Sequence, residues 1–334
     1  MRLVLLVLSA LALCSAPLAG AGAPGPFSVV PFNQVQWSDE TPGQPTTAGL
    51  AGRWQLIIVV DWEEAEGKTG RTTYKDFANK LYKDQTSEQR FIPIAIGVNG
   101  TLDRRGDTEP NVILKGGSQP GLLRALAGDA NGALVLVAPD GRVQRIQRQS
   151  GDINPIRSKL EKDLSSATPL LSAPASFPAT CKAALELLRL GDVGGAVGVA
   201  RKRLGPDGAL LIKSLQEQAN VLIEADTARV SAATSTAGER FIARERLKGL
   251  LEEFPGLPAA AAATAALKAK PSADLLAEAK AWAALQDYLA QMGKLSAKKS
   301  VAVQQQMIPG IIAAFPGTYA AELATMIKAA ARLP

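Results

Sequence analysis

The chain has 334 residues, of which 47% are hydrophobic and 20% charged, and its formal net charge is +6. This is the composition of a globular protein and excludes a wholly disordered one. The sequence has no His and only two Cys, Cys14 and Cys181. An imidazole base, a Cys/His nucleophile pair and a zinc site with His and Cys ligands are therefore excluded. The positive excess is dilute and Trp and Tyr are few, which argues against nucleic-acid binding.

Residues 1–21 have the pattern of a secretory signal peptide. Arg2 precedes the apolar stretch Leu3–Leu13, and a tract of small residues favours cleavage after Ala21. The apolar stretch is too short for a membrane-spanning helix, which needs about 20 residues. We expect an exported protein, periplasmic or extracellular, without a transmembrane anchor. Lipid attachment at Cys14 is the less favoured alternative, because the residue before it is bulky.

Pro, Gly and Thr are frequent across residues 22–47, which we predict to be an extended lead-in with an edge strand within Phe27–Trp37. Three short apolar, largely β-branched runs predict strands buried on both faces, at Trp54–Val60, Phe91–Val98 and Ala133–Ala138. Between the first two of these runs, Thr73–Lys83 has the spacing of an amphipathic helix with a capping box.

Residues that favour a tight turn follow the third apolar run, Ala133–Ala138. The sequence Pro-Asp-Gly-Arg at 139–142 favours a tight turn, and the alternation over Val143–Gln147 predicts the second strand of a β-hairpin. The order strand, helix, strand, helix, hairpin, helix indicates an α/β layer architecture.

A stretch rich in Ser, Pro and Ala at residues 165–180 is interpreted as a linker, and the patterns over 181–334 are helical. Phe-Pro-Gly occurs twice there, at 254–256 and 315–317, after an amphipathic helical pattern and before an alanine-rich one. Pro and Gly end a helix and turn the chain, and small side chains let the next helix pack closely. Two copies therefore predict stacked helical hairpins; an irregular bundle without a binding groove is the alternative.

A third helical unit starts near Ala183. Its Gly191-Asp192 turn, followed by Ala196 and Ala200 at helical spacing, resembles the inter-helix turn of a tetratricopeptide repeat. The aromatic residue usual beside that turn is missing, and the two Phe-Pro-Gly copies do not follow the period of about 34 residues. The resemblance implies an all-α, tetratricopeptide-like C-terminal domain that presents a concave surface to a peptide or protein.

The order of elements, the Gly-Arg-Trp sequence at 52–54 and the strand-turn-strand pattern at 134–143 resemble the thioredoxin-like superfamily, particularly its redoxin and peroxiredoxin branches. The resemblance covers residues 48–164 and implies an α/β thioredoxin-like N-terminal domain. In that superfamily the first central strand leads to a Cys-x-x-Cys motif at a helix N terminus, where backbone N–H groups and the helix dipole lower the pKa of a thiol.

The same resemblance implies that this redox site has lost its chemistry. Glu66 and Thr69 stand at the two Cys positions, and Gly132 stands where the family has a cis-proline. Disulfide exchange and peroxide reduction therefore have no nucleophile there. Three residues are expected to line any ligand surface that this pocket keeps: Trp62, Glu63 and Lys68.

Two other chemistries are disfavoured in the same loop. Gly-Lys-Thr at 67–69 suggests a phosphate-binding loop, but Trp62 stands where that motif needs its first glycine, and neighbouring acidic side chains would repel phosphate. The acidic residues within 61–66 are interpreted as a solvated loop rather than as hydrolytic carboxylates or a calcium site. We expect no metal and no cofactor.

The functional expectation is an exported, non-catalytic thioredoxin-fold protein that binds a protein or peptide through its helical domain. The alternative is a thiol oxidoreductase that uses Cys181, the thiol that remains after signal-peptide cleavage, or a partner's thiols. The sequence leaves the oligomeric state open.

Overall fold

The structure is a computed structural model. It describes residues 36–37, 43–60, 90–97, 112–115, 120–128, 132–148, 152–167, 169–173, 177–295 and 297–333. Within these ranges six strands form one sheet: β1 Gln36–Trp37, β2 Trp54–Val60, β3 Phe91–Gly97, β4 Val112–Lys115, β5 Gly132–Val137 and β6 Val143–Arg148.

The helices of the described residues number eleven. They are α1 Thr47–Leu50, α2 Pro120–Ala127, α3 Asn154–Asp163, α4 Lys182–Arg189, α5 Val193–Arg203, α6 Gly205–Ser231, α7 Ala237–Glu253, α8 Ala260–Lys268, α9 Ala273–Lys294, α10 Ala297–Ala314 and α11 Tyr319–Ala331. The chain is therefore α/β in its N-terminal part and helical from Lys182 onward. The predicted helix Thr73–Lys83 lies outside the described residues.

The strands lie in the order β1-β4-β3-β2-β5-β6. Strands β2, β3 and β4 run parallel, whereas β5 and β6 form an antiparallel hairpin beside β2. The predicted edge strand is present at Gln36–Trp37, antiparallel to β4. Strand β4 was not predicted from the sequence.

Strand β2 is buried along all seven residues, as its apolar run predicts. Side chains alternate along a strand, so Leu56 and Ile57 point to opposite faces of the sheet. On the Leu56 face the sheet packs against Ile156 and Leu160, which lie one helical turn apart on α3. On the Ile57 face it packs against α2 and the C-terminal helices. Burying one such side chain contributes about 1.5–3 kcal/mol.

Both Phe-Pro-Gly sequences end a helix, as predicted. Helix α7 ends just before the first and α10 just before the second, and α8 and α11 follow them. Gly256 (φ 80°) and Gly317 (φ 77°) adopt the left-handed conformation that glycine accepts without strain. Thr318 then caps α11 by accepting a hydrogen bond from the Ala321 N–H.

Helices α4 and α5 form the hairpin predicted at Gly191-Asp192, with Ala196 and Ala200 buried. Gly191 has a φ of 76°, which explains the glycine at the turn. The helices differ widely in length, with 8 residues in α4, 11 in α5 and 27 in α6. This hairpin is therefore not repeated as a unit of constant length.

The sheet and the last three helices share one hydrophobic core. Ile57 and Val135 from the sheet, Tyr288 from α9 and Leu323 from α11 belong to it, and all are fully buried. A second core fills the space between helices α4 to α8. The predicted domain limits therefore separate two sequence patterns but not two independent cores.

The predicted linker packs against helix α6 where the structure describes it. Leu171 is buried in the core of the helical hairpins. Gln218 binds both main-chain groups of Ser172: its Oε1 accepts from the Ser172 N–H (3.0 Å) and its Nε2 donates to the Ser172 carbonyl (2.8 Å). Over the described residues, each helix is too short or too polar to cross a membrane.

Candidate functional site

The structure describes one residue of the predicted redox-like pocket. Gly132 is the first residue of β5 and pairs with Val60, the last residue of β2. Gly132 therefore lies beside the C-terminal end of β2. The other predicted positions, Glu66, Thr69, Trp62, Glu63 and Lys68, lie outside the described residues. In the described ranges, no three or more acidic or Cys residues group in a way that could hold a metal ion.

Cys181 is fully buried at the junction between a single 3₁₀ turn, Ala179–Cys181, and helix α4. Its backbone N–H donates to the carbonyl of Pro178 at 2.9 Å, which closes that turn. The thiol therefore does not face solvent, and the residue packs as a small apolar side chain.

A site that the sequence did not predict lies in the helical region. It is formed by the Gly191-Asp192 turn and by Glu253 at the C-terminal end of α7, and we call it the helical cleft. Residues 43–50, which cover the end of the predicted lead-in and the first residues after it, lie in this cleft; we call them the docked segment. The docked segment includes the single helical turn α1 and leads directly to strand β2.

The helical cleft binds the main chain of the docked segment. The Thr46 N–H donates to the Gly191 carbonyl at 2.9 Å. The Gln44 N–H donates to Asp192 Oδ2 at 3.0 Å, and the other oxygen of that carboxylate accepts from the Gly195 N–H at 2.7 Å. One side chain thus caps helix α5 and holds the incoming segment. Burial raises the pKa of Asp192, and its two amide donors oppose that shift.

Small side chains let the docked segment approach closely. A Cβ at Gly49 would lie 1.9 Å from the carbonyl oxygen of Gly191, so a glycine is required there. Ala48 is fully buried and belongs to the same core of the helical hairpins as Leu188 and Val193. The cleft therefore selects small side chains as well as main-chain groups.

Glu253 closes the other side of the cleft. Its carboxyl group lies within hydrogen-bonding reach of the Thr46 hydroxyl and the Ala48 N–H. Among the described residues, its Oε2 is buried and has no hydrogen-bond partner. Burial raises the pKa of Glu253 to about 7. Hydrogen bonds from the Thr46 hydroxyl and the Ala48 N–H oppose this shift, and the negative charges of Asp192 and Glu252 make smaller contributions in its favour.

Arg53 anchors the chain just beyond the docked segment. Its side chain is fully buried, and its guanidinium donates to the carbonyls of Leu188 and Arg189, both at 2.7 Å. These carbonyls belong to the last turn of α4, where helix carbonyls lack intrahelical donors. The Leu188 carbonyl also accepts from the Gly191 N–H at 2.9 Å. Arg53 therefore fixes the end of α4 to the start of the central strand.

Sequence reasoning identified the Gly191-Asp192 turn but not what it binds. Three residues of the site, Thr46, Arg53 and Glu253, were not predicted, because no local motif links them to the turn. A polar segment without charge before a buried strand, and a glycine inside it, were the only signals.

Comparison with protein-family models, curated proteins and solved structures gives no match.

Proposed function

We propose that the protein is an exported, non-catalytic thioredoxin-fold protein that acts as a peptide- or protein-interaction module through its tetratricopeptide-like helical region. Export is supported by the signal-peptide pattern of residues 1–21. A binding role without catalysis is supported by the residues at the redox positions, because neither Glu66 nor Thr69 can act as a thiol nucleophile.

The strand arrangement supports the thioredoxin-like part of the proposal. Central strand β2 has parallel β3 on one side and the antiparallel hairpin β5–β6 on the other, as thioredoxin-like domains do. The pairing of Gly132 with Val60 supports this part of the proposal, because the superfamily has its cis-proline near the end of the central strand.

The observation that carries the binding function is the occupied helical cleft. It holds an uncharged stretch of chain by hydrogen bonds to main-chain groups, from Gln44 and Thr46, and it encloses the side chain of Ala48. Main-chain hydrogen bonds give affinity for an extended peptide, and fitted side-chain positions give selectivity. A cleft with both features can bind a peptide of the same pattern from another protein.

A peptide of residues 43–51 tests this proposal. In a Gly49→Ala variant the new Cβ collides with the Gly191 carbonyl, so the variant's own segment should leave the cleft and the Thr46 amide should exchange faster with solvent. A fluorescently labelled wild-type peptide should then bind the variant saturably. It should bind the wild-type chain far more weakly, because the tethered segment competes at high effective concentration.

Two matched controls accompany the titration. Gly198→Ala adds a methyl group in open space, so this variant should behave like the wild type. A peptide carrying alanine in place of Gly49 should not bind. Absence of saturable binding, equal binding of the two peptides, or an unchanged Thr46 amide in Gly49→Ala would overturn the proposal for this cleft.

The thioredoxin-like assignment has its own test. In a Cys181→Ser background, Glu66→Cys together with Thr69→Cys should form an intramolecular disulfide, because the two positions match those of a Cys-x-x-Cys motif. The pair should also catalyse insulin reduction with a dithiol reductant. A pair that cannot be oxidised to an intramolecular disulfide would contradict the assignment.

A redox assay separates the proposal from the oxidoreductase alternative. Wild-type protein and Cys181→Ser should both leave the rate of insulin reduction by dithiothreitol unchanged, since the Cys181 thiol is enclosed. Thiol-dependent turnover that disappears in Cys181→Ser would favour the alternative instead.

A further inference from the structure

We infer that the docked segment is a proton-dependent latch, which holds the helical cleft closed while Glu253 is protonated and releases it when Glu253 ionises. The inference rests on the proposed function, because it assigns a regulation to the same cleft.

The geometry of Glu253 is the basis of the inference. Its carboxyl group faces the docked segment, within reach of the Thr46 hydroxyl and the Ala48 N–H. The Thr46 hydroxyl also lies 3.3 Å from the Gly191 carbonyl oxygen, and its single proton can serve one acceptor at a time. The donors from Thr46 and Ala48 favour the ionised carboxylate, but Oε2 is buried without a partner and the cost of burying the charge outweighs them.

The charges that act on Glu253 reinforce this preference. Asp192 on the facing turn and Glu252 on the same helix both oppose its ionisation. The docked segment and the turn at 254–259 contain no charged residue. When the docked segment leaves the cleft, the Glu253 carboxylate is exposed to water, which also screens its repulsion with Asp192.

Three basic residues on α6 and α7 have ion-pair partners of their own. On α7, Arg246 pairs with Asp226 and Lys248 pairs with Glu245. On α6, Lys213 lies 3.9 Å from Glu217 on the exposed face. The Arg53 guanidinium donates to the carbonyls at the end of α4.

The direction of the pH effect follows from the two states. The pKa of Glu253 is about 7 in the closed cleft, against an ordinary value of 4.5. Between these values the closed state binds a proton that the open state has lost, so closure weakens as pH rises. Below the lower pKa the Glu253 carboxyl group is protonated in both states. Above the higher pKa it is ionised in both states, and the closed state carries the full cost of the buried charge. The opening equilibrium should increase on the order of 100-fold from about pH 5 to about pH 8.

Amide hydrogen exchange measures this opening in the full-length mature chain. The Thr46 N–H, bonded to Gly191, and the Leu50 N–H, bonded to the Thr46 carbonyl, report on the docked segment. Their protection factors, corrected for the intrinsic pH dependence of exchange, should fall as pH rises. In Glu253→Gln the fall should be absent, whereas Glu252→Gln, which changes an exposed neighbour, should retain it.

A measurement on the wild-type chain avoids dependence on the variants. The ¹³C shift of the Glu253 side-chain carboxyl should titrate with a midpoint close to 7, and opening of the docked segment should follow it. A Glu253 midpoint near 4.5, or a pH dependence that persists in Glu253→Gln, would overturn the latch. Either result leaves the peptide titration in Gly49→Ala intact, so failure of the latch and failure of the binding function are distinguishable.

Discussion

The buried guanidinium of Arg53 donates a hydrogen bond to the carbonyl oxygen of Leu188, 135 residues further along the chain. A second bond from the same group reaches Arg189. Because Arg53 directly precedes the central strand and Leu188 lies in the last turn of α4, this contact sets the position of the first helical hairpin against the sheet.

Arg53→Met should therefore destabilise the protein by about 2–4 kcal/mol, because it removes two charge-assisted hydrogen bonds while keeping most of the apolar stem. The Arg189 carbonyl loses its donor, whereas the Leu188 carbonyl keeps its bond from the Gly191 N–H. Urea unfolding followed by circular dichroism measures the change. Lys182→Met, an exposed substitution on the same helix, should change stability by less than about 0.5 kcal/mol. Equal effects of the two substitutions would show that the Arg53 contacts contribute nothing.

Two buried tyrosines provide a comparison between losing a donor and losing an acceptor. Tyr319 Oη accepts from the Val143 N–H at 2.7 Å, so Tyr319→Phe leaves a buried amide without an acceptor. Tyr288 Oη donates to the Ala125 carbonyl, which also receives Nε2 of Gln304 at 3.3 Å. We expect Tyr319→Phe to cost about 2 kcal/mol and Tyr288→Phe about 1 kcal/mol. Denaturant titration of both variants measures the order, and the reverse order would contradict this argument.

The ion pair between Asp226 and Arg246 is buried between helices α6 and α7. Asp226→Asn leaves the Arg246 charge without its partner and should cost about 3–5 kcal/mol. The double variant Asp226→Leu with Arg246→Met should be less destabilised than Asp226→Asn, since no buried charge remains. Arg229→Met removes a half-exposed partner of the same carboxylate and is the mild control. Thermal and urea unfolding of the three variants measure this, and a double variant that is at least as destabilised as Asp226→Asn would contradict it.

Local sequence patterns predicted those parts of the structure that depend on local physics. The uniform apolar run Trp54–Val60 indicated a strand buried on both faces, and Gly256 and Gly317 indicated helix ends, because each feature has one local explanation. Strand β4 was missed because a run of four residues is too short to show a period.

The helical cleft was missed for a different reason. Gln44 and Asp192 are 148 residues apart, and neither local sequence contains information about the other. Gly49 is required by a carbonyl oxygen from Gly191, not by its own backbone conformation. Contacts of this kind arise from the packing of distant elements, so they need a structure.

The shared core predicts that the α/β part and the C-terminal helices unfold together. Leu323 of α11 and Ile57 of β2 belong to the same fully buried cluster. Leu323→Ala should cost about 2–5 kcal/mol through lost apolar contacts and the cavity left behind. Because the sheet loses its cover at the same time, we expect one cooperative transition in which the sheet and these helices melt at the same denaturant concentration.

Residue-resolved hydrogen exchange at increasing urea measures this coupling. Amides of β2 and of α11 should show the same opening free energy, and Leu323→Ala should lower both equally. Leu210→Ala, at an exposed position on α6, should lower neither by more than about 0.5 kcal/mol. If Leu323→Ala lowered protection in α11 alone while β2 kept its wild-type value, the helical part would be an independent folding unit, and the limit at residues 165–180 would separate two autonomous domains.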